Sequence, residues 1–254
     1  MAANDWALCR QSTKPGYDVP TPQPATKQPL AQAIATLAHH FAWQGPIGCT
    51  FPAIIKAGVA YTAANIDSSW IGTNVQTLFA AQTGCPVTVL NDADAAGLAE
   101  LAFGAAHGQR GVVLLLTFGT GIGSAFLVDG TLVPNTELGH LFIRGREAEA
   151  FASDRARKCQ RLSWKRWARR LDALFKHLER LFAPDLFIVG GGVNKDHAQF
   201  LPLLTSSTPV IPAALRNRAG IIGAAWAAAA QRDLDRGAGP ITPLVDLQEG
   251  HQDD

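Results

Sequence analysis

No apolar run in this sequence approaches the ~18 residues of a membrane-spanning helix, and its N-terminus lacks the charged-then-apolar order of a secretory leader. Both absences point to a cytoplasmic protein without a membrane partner. Cysteine is sparse: Cys9, Cys49, Cys85 and Cys159 stand singly with no CxxC pair, so neither a disulfide framework nor a thiolate metal site is expected. Charge of one sign is missing too, since the formal net charge is +1 and charged residues make up 17%. That balance argues against a surface given over to nucleic acid. There is no Walker A sequence, no GxSxG nucleophile elbow and no repeat of fixed period.

What is present centres on GVVLLLTFGTGIGSAFLVDGTLVPNTELGHL, residues 111–141. It predicts an apolar strand (Val112–Phe118), a turn with Gly119, Gly121 and Gly123, a second strand (Ser124–Val128) and a hairpin at Asp129-Gly130. A tight glycine-threonine turn offers backbone N–H groups in a concave nest beside the Thr117 and Thr120 hydroxyls, chemistry that suits phosphate oxygens. An ordinary glycine-rich hairpin is the plainer alternative. A Rossmann turn is disfavoured because GTGIG leads into a strand rather than a helix.

The remaining chain alternates strands and helices. Residues 1–29, with Pro15, Pro20, Pro22, Pro24 and Pro29, read as an irregular arm. Helices are expected at Gln28–Ala42, Asn74–Gln82, Ala93–Ala106, Ser163–Phe182, Lys195–Leu204 and Gly220–Gln231. Strands are expected at Pro46–Phe51, Ile54–Tyr61, Val87–Leu90, Leu186–Val189 and Val210–Ile211. Asn65–Trp70 reads as a polar loop and Arg232 onward as a frayed acidic tail. With 47% hydrophobic residues in 254, the pattern is that of an α/β protein of two lobes meeting near residue 110.

Asn91-Asp92 stands where a strand ends and a helix begins, the usual place for a ligand-binding carboxylate in an open α/β sheet. Asp92 either caps the Ala-rich helix or serves as a proton acceptor. Glu137, His140 and Glu149 add carboxylates and an imidazole, which with the Asn91 amide give the mixed donors and acceptors that a polyhydroxylated ligand demands. Zinc at His140 is disfavoured, because no cysteines follow at zinc spacing. Gly190-Gly191-Gly192 closes a strand and precedes a predicted helix, so its backbone can approach a nucleotide or phosphate. Arg155, Arg157, Lys158, Arg161, Lys165, Arg166, Arg169 and Arg170 crowd one stretch in which Asp154 and Asp172 are the only nearby carboxylates. The run is a solvated helix face or a track for an extended polyanion. Trp164 and Trp167, on the expected core-facing stripe with Leu171, Leu174, Leu178 and Leu181, are poorly placed to stack on bases, which disfavours nucleic acid.

These segments resemble the ROK sugar-kinase family and, within it, the polyphosphate glucokinases. The resemblance runs from about Thr21 to Ala229 and rests on TPQPAT, FPAIIKAGVAYTAANIDSSWIG, VLNDADAAGLAE, LLLTFGTGIGSAFLVDG, ELGH, LSWKRWA, DLFIVGGGV and TPVIPAALRNRAGIIGAA. It implies a two-lobed actin-like ATPase (ribonuclease H-like) fold with glucose in the interlobe cleft, phosphorylated at its 6-hydroxyl by polyphosphate or ATP with Mg²⁺, in a homodimer without zinc. Residue by residue, the resemblance makes Asp92 the base and Asn65, Asn91, Asp92, Glu137, His140 and Glu149 the sugar contacts. Thr117–Gly123 becomes the second phosphate loop and Gly190–Gly192 the adenosine-side turn. The expected parts are an atypical arm (1–20), a small lobe (21–110, joined by helix 220–231), a large lobe (111–219) and a flexible tail (232–254). Met1–Pro20 departs from the family, for it holds no Asp-x-Gly-Gly-Thr donor loop and Gly16 is the only glycine before Gly45. A sugar-binding relative with impaired turnover is therefore the second expectation.

Overall fold

The computed structural model describes residues 17–63 and 66–235. Its centre is a five-stranded sheet, entered by the hairpin stretch. Strand β5 (Val112–Phe118) has near-continuous apolar character because it is covered on both faces. Leu114, Leu116 and Phe118 project to one core; Val113 and Leu115 project to another. β5 pairs antiparallel with β6 (Ile122–Val128), which turns through Asp129 and Gly130, both at positive φ, into β7 (Thr131–Val133). After a small hairpin of β8 (Phe142–Ile143) and β9 (Arg146–Glu147), β10 (Leu186–Gly190) runs parallel to β5 on its other edge, and β11 (Val210–Pro212) parallel to β10.

One face of this sheet is sealed by α6 (Trp164–Phe182), whose Trp167, Leu171, Leu174, Phe175 and Leu178 are fully buried. Burial of such side chains contributes roughly 1.5–3 kcal/mol each. Ser163 starts the helix by accepting a hydrogen bond from the Arg166 amide at 3.4 Å. Leu181, expected on the apolar stripe, is instead exposed, one residue before the helix ends. The other face is covered by α3 (Asp92–Phe103), which packs against α7 (Ala219–Asp235). Both helices are rich in alanine and glycine, so their backbones approach closely; a Cβ on Gly223 would fall on the Ala95 carbonyl oxygen.

A separate parallel pair, β1 (Ile47–Phe51) and β4 (Val87–Asn91), lies among α1 (Lys27–His40), α2 (Val75–Thr83) and the C-terminal helix α7. Its core is Phe51, Trp70, Phe79, Val87 and Val89. The Trp70 indole N–H donates to the Ala25 carbonyl at 2.8 Å, so the loop read as polar hides one large aromatic ring within a 3₁₀ turn, Ser68–Trp70. Three other expectations change. Residues 54–61 form a hairpin, β2 (Ile55–Lys56) and β3 (Val59–Ala60), because Ala57 and Gly58 both take positive φ. Lys195–Leu204 is two 3₁₀ segments, Gly192–Gln199 and Leu201–Leu203, interrupted where Phe200 turns into the aromatic core beside Trp164 and Trp167. The final helix continues past Arg232 to Asp235, closed by a Gln231–Asp235 hydrogen bond of 2.9 Å.

Candidate active site

The C-terminal ends of β4, β5 and β10 converge on the N-terminus of α3, as expected for a ligand site in an open α/β sheet. Asn91, not Asp92, is the helix cap: its Oδ1 accepts from the amides of Ala93 at 2.8 Å and Asp94 at 3.3 Å. Its Nδ2 donates to the Ala53 carbonyl at 3.2 Å, tying β4 to the turn after β1. Asp92 is thereby free of the capping task. One oxygen accepts from the Ala93 amide at 2.9 Å, and the side chain opens to solvent between close walls. Those walls strip water from the carboxylate and raise its pKa above the usual value, partly offset by the Ala93 amide.

The strand leaving the 119–121 turn presses against this helix start at Gly123. None of Gly119, Gly121 and Gly123 has a positive φ; what two of them supply is space. A Cβ on Gly123 would lie 2.6 Å from Thr117 Oγ1 and 2.9 Å from the Ala93 Cβ, and one on Gly121 would strike the Glu149 carboxylate. The Gly119 amide is spent on the Gly121 carbonyl at 3.0 Å, and the Gly119 carbonyl accepts from the Arg155 amide at 3.0 Å. The amides of Thr120 and Gly121 have no hydrogen-bond partner among the described residues, so these two are the N–H groups the turn can offer. Thr117 sits between Gly123 on one neighbouring strand and Gly190 on the other. Gly191, at φ +80°, crosses directly over the Phe118 backbone, where no side chain fits. Gly192 then opens the 3₁₀ segment.

Glu137, His140 and Glu149 form a second wall together with Glu147. His140 Nε2 is 4.0 Å from Glu137 and its Nδ1 is 3.6 Å from Glu147. Ligand atoms of His140, Glu147 and Glu149 all lie within 4.8 Å of one another. Desolvation raises the pKa of Glu137; the His140 side chain lowers it, and Asp92 and Glu149 raise it further. Asp92 is thus near enough to Glu137 for the two carboxylates to act on each other electrostatically. Glu147 was not among the residues singled out, and neither was Asp94. Asp94 is 2% exposed, accepts from the Asn135 amide at 2.8 Å and leaves its other oxygen unpartnered. Asn135 in turn bonds both ways to the Ile55 backbone, at 2.8 and 2.9 Å, bridging the two sheets beneath the cluster. The available signal was a carboxylate within an Ala-rich helix, rarely buried without purpose. Asn65 lies outside the described residues.

The basic run does not act as one surface. Asp154 pairs with Arg157 at 2.8 Å and Lys158 at 2.7 Å, and Arg157 stacks on Trp164 at 4.0 Å. Arg170 donates to the Phe151 carbonyl and to Gln160, both at 2.7 Å. Arg155, Arg161, Lys165, Arg166 and Arg169 remain exposed.

Beside Asp92 lies a cavity of about 200 Å³, bordered by Thr117, Gly190, Gly191, Arg216 and Asn217. It joins the three motifs separated in the sequence. Arg216 and Asn217 went unnoticed because they follow a short strand with no glycine-rich signature.

The ROK family model matches residues 10–160 of this chain. A polyphosphate glucokinase of Mycobacterium tuberculosis is 49% identical over 211 residues, 83% of this chain and 80% of that protein. Among solved structures, the inorganic polyphosphate/ATP-glucomannokinase of Arthrobacter sp. strain KM superposes with a TM-score of 0.82 at 49% identity, covering 88% of this chain and 92% of that one. A ROK family glucokinase from Streptomyces griseus, in complex with glucose and AMPPNP, matches with a TM-score of 0.70 over 84% and 91% of the two chains; at 23% identity this likeness speaks to fold alone.

Proposed function

This chain belongs to the ROK family and has its actin-like ATPase fold, and from that premise we propose that it is a polyphosphate glucokinase, with ATP as an alternative donor. The observation that carries the reading is that Asp92 borders the small cavity lined by Thr117, Gly190 and Gly191 and is also within electrostatic reach of the wall of Glu137, His140 and Glu149, whose groups suit hydroxyls. Glucose on that wall presents its 6-hydroxyl to Asp92. As the hydroxyl oxygen bonds to the terminal phosphorus, its proton passes to the Asp92 carboxylate, and the bond between that phosphorus and the rest of the donor breaks. A raised carboxylate pKa makes Asp92 a better proton acceptor. The amides of Thr120 and Gly121 and the Thr117 hydroxyl suit the transferred phosphoryl oxygens. Phosphoryl transfer is accelerated chiefly by such positioning and charge.

Mg²⁺ takes oxygen ligands, keeps several waters and is held through one or two carboxylates plus substrate phosphates. From the cavity the Thr117 hydroxyl would reach such an ion, carried by the donor phosphates, since Glu100 is taken up by backbone amides and the Asp92 oxygen not bonded to Ala93 takes the hydroxyl proton. Bound there with the donor, the ion would offset phosphate charge. Beyond the cavity, the exposed Arg155, Arg161, Lys165, Arg166 and Arg169 suit the trailing part of a polyphosphate chain, and the Arg155 amide contact to Gly119 starts that path at the hairpin. The same reading divides the protein into lobes near residue 110 with glucose between them. It also carries a homodimer and a cytoplasmic setting, the latter supported by the free thiols of Cys49, Cys85 and Cys159. Among the described residues no helix is long and apolar enough to cross a membrane.

The test is production of glucose 6-phosphate from glucose, Mg²⁺ and polyphosphate or ATP. Asp92→Asn should lower kcat by roughly 10²–10⁴-fold with little change in glucose affinity. Glucose raising the melting temperature without any product, in the wild-type chain, would select binding without turnover.

A further inference from the structure

Arg216 occupies an unusual position for an arginine. It borders the cavity beside Asp92, it is exposed, and its side chain has no hydrogen-bond or ion-pair partner among the described residues. Its φ of +53° is a left-handed conformation that strains a side-chain-bearing residue and that persists only where the surroundings enforce it.

The enforcing group is Glu100. This glutamate is 0% exposed and sits two turns along the helix that Asp92 begins. Its Oε2 accepts from the amides of Ala105 at 2.7 Å and Ala214 at 3.1 Å, and its Oε1 accepts from Leu215 at 2.8 Å. Two of these three amides are the residues immediately before Arg216. A buried carboxylate so engaged locks the 213–216 loop to the helix carrying Asp92, so Arg216 and Asp92 keep one spacing across the cavity.

The charges on the cavity wall make the arginine necessary. Asp92 and Glu100 are both acids, and Arg216 is the only cation among its lining residues. The N-termini of α3 and α7 reach the same space through Asp92, Ala93, Ala219 and Gly220 and favour an anion, but each supplies a partial charge only. Beside the Mg²⁺ that the donor carries, a donor of several negative charges entering next to Asp92 gains from a full positive charge that no other protein group uses.

From this we infer that Arg216, on the loop that Glu100 fastens to α3, binds the phosphoryl donor with its guanidinium on the phosphate next to the one transferred. The inference rests on the cavity being the donor side of the kinase site. It adds a specificity element, since a planar fork of donors matches phosphate oxygens on any polyphosphate chain, whether or not a nucleoside is attached.

The test separates this from the kinase reading. Tripolyphosphate binding is measured by calorimetry for the wild-type chain, Arg216→Ala, Arg216→Lys and Arg218→Ala, with glucose binding followed in parallel as a check on folding. Arg216→Ala should weaken tripolyphosphate by roughly ten- to a hundredfold, the loss expected for a charged hydrogen-bonding partner. Arg216→Lys should recover part of that, and glucose affinity should not move. Arg218→Ala removes the same charge from the same turn but away from the cavity lining, and should leave tripolyphosphate affinity unchanged. Arg216→Gly should bind tripolyphosphate as poorly as the alanine variant while melting no lower than wild type, because glycine relieves the left-handed backbone. Unchanged affinity in Arg216→Ala, equal losses in Arg216→Ala and Arg218→Ala, or no tripolyphosphate binding by the wild-type chain would each overturn the assignment. Arg216-dependent binding without glucose 6-phosphate formation would uphold it and remove the kinase reading instead.

Discussion

Asp94 is the carboxylate farthest from its behaviour in water. Burial pushes its pKa from 3.8 to about 6, the Asn135 amide pulls it down, and Glu137 and Asp92 push it up again. A carboxylate whose folded pKa exceeds its unfolded value destabilises the fold when ionised. The penalty is complete above pH ~6, shrinks as pH falls through the window between about 6 and 3.8, and is absent below it. At roughly 1.4 kcal/mol per pKa unit its size is of order 2–3 kcal/mol. Asp94→Asn keeps an oxygen for the Asn135 amide and removes the charge. In protein freed of metal by EDTA, this variant should melt above wild type at pH 8, and the difference should fade toward pH 4. A difference that stays constant with pH would show that Asp94 does not carry the buried charge. Asp92, by contrast, was legible as a residue and ambiguous as a role: the sequence left it either a cap or a base. Only the two hydrogen bonds to Asn91 released it from capping.

At the level of elements, the hairpin between β5 and β6 is the part best read from sequence, since alternation, a glycine-rich turn and Asp129-Gly130 are all local signals. What the three glycines are for was not legible, because their neighbours come from α3 and from the segment around Glu149. The geometry separates them. Gly123→Ala places a methyl against Thr117 and Ala93, so the hairpin must move away from Asp92. A loss of about 1–3 kcal/mol of stability and at least tenfold in kcat is expected. Gly119→Ala meets nothing within 4 Å and should be close to wild type in both. Thermal melts and steady-state rates of the two variants provide the comparison, and equal effects would mean that the turn is not packed on the helix start as described. The helix mistaken at 195–204 fails for the same reason in reverse: its local spacing suits a helix, yet seating Phe200 against Trp164 and Trp167 breaks the backbone there.

Over the whole molecule, the net charge of +1 conceals an uneven surface. Arg157 and Lys158 are neutralised by Asp154 and Arg170 is turned onto Phe151, which leaves Arg155, Arg161, Lys165, Arg166 and Arg169 exposed, and the proposed function gives them to a trailing polyanion. Such contacts are screened by salt, with a Debye length of about 10 Å at 0.1 M. The KM for long-chain polyphosphate should therefore climb steeply with salt while the KM for glucose stays level. Replacing Arg161, Lys165, Arg166 and Arg169 together by glutamine should flatten that climb, as measured by initial rates across a salt series. An unaltered slope would remove these residues from donor binding.

The sequence by itself determined the α/β alternation, the phosphate-suited hairpin, the long amphipathic helix and the acid-imidazole set, because each rests on periodicity or on neighbours within a few residues. The resemblance to ROK sugar kinases could be drawn from the same segments. Tertiary structure alone decided which groups share a space. Asp92, Thr117 and Arg216 are brought together only when β4, β5 and β10 end at one level and Glu100 fastens a distant loop to α3. Contacts across that many residues leave no periodic trace in the chain, since they depend on how whole elements pack rather than on any local preference.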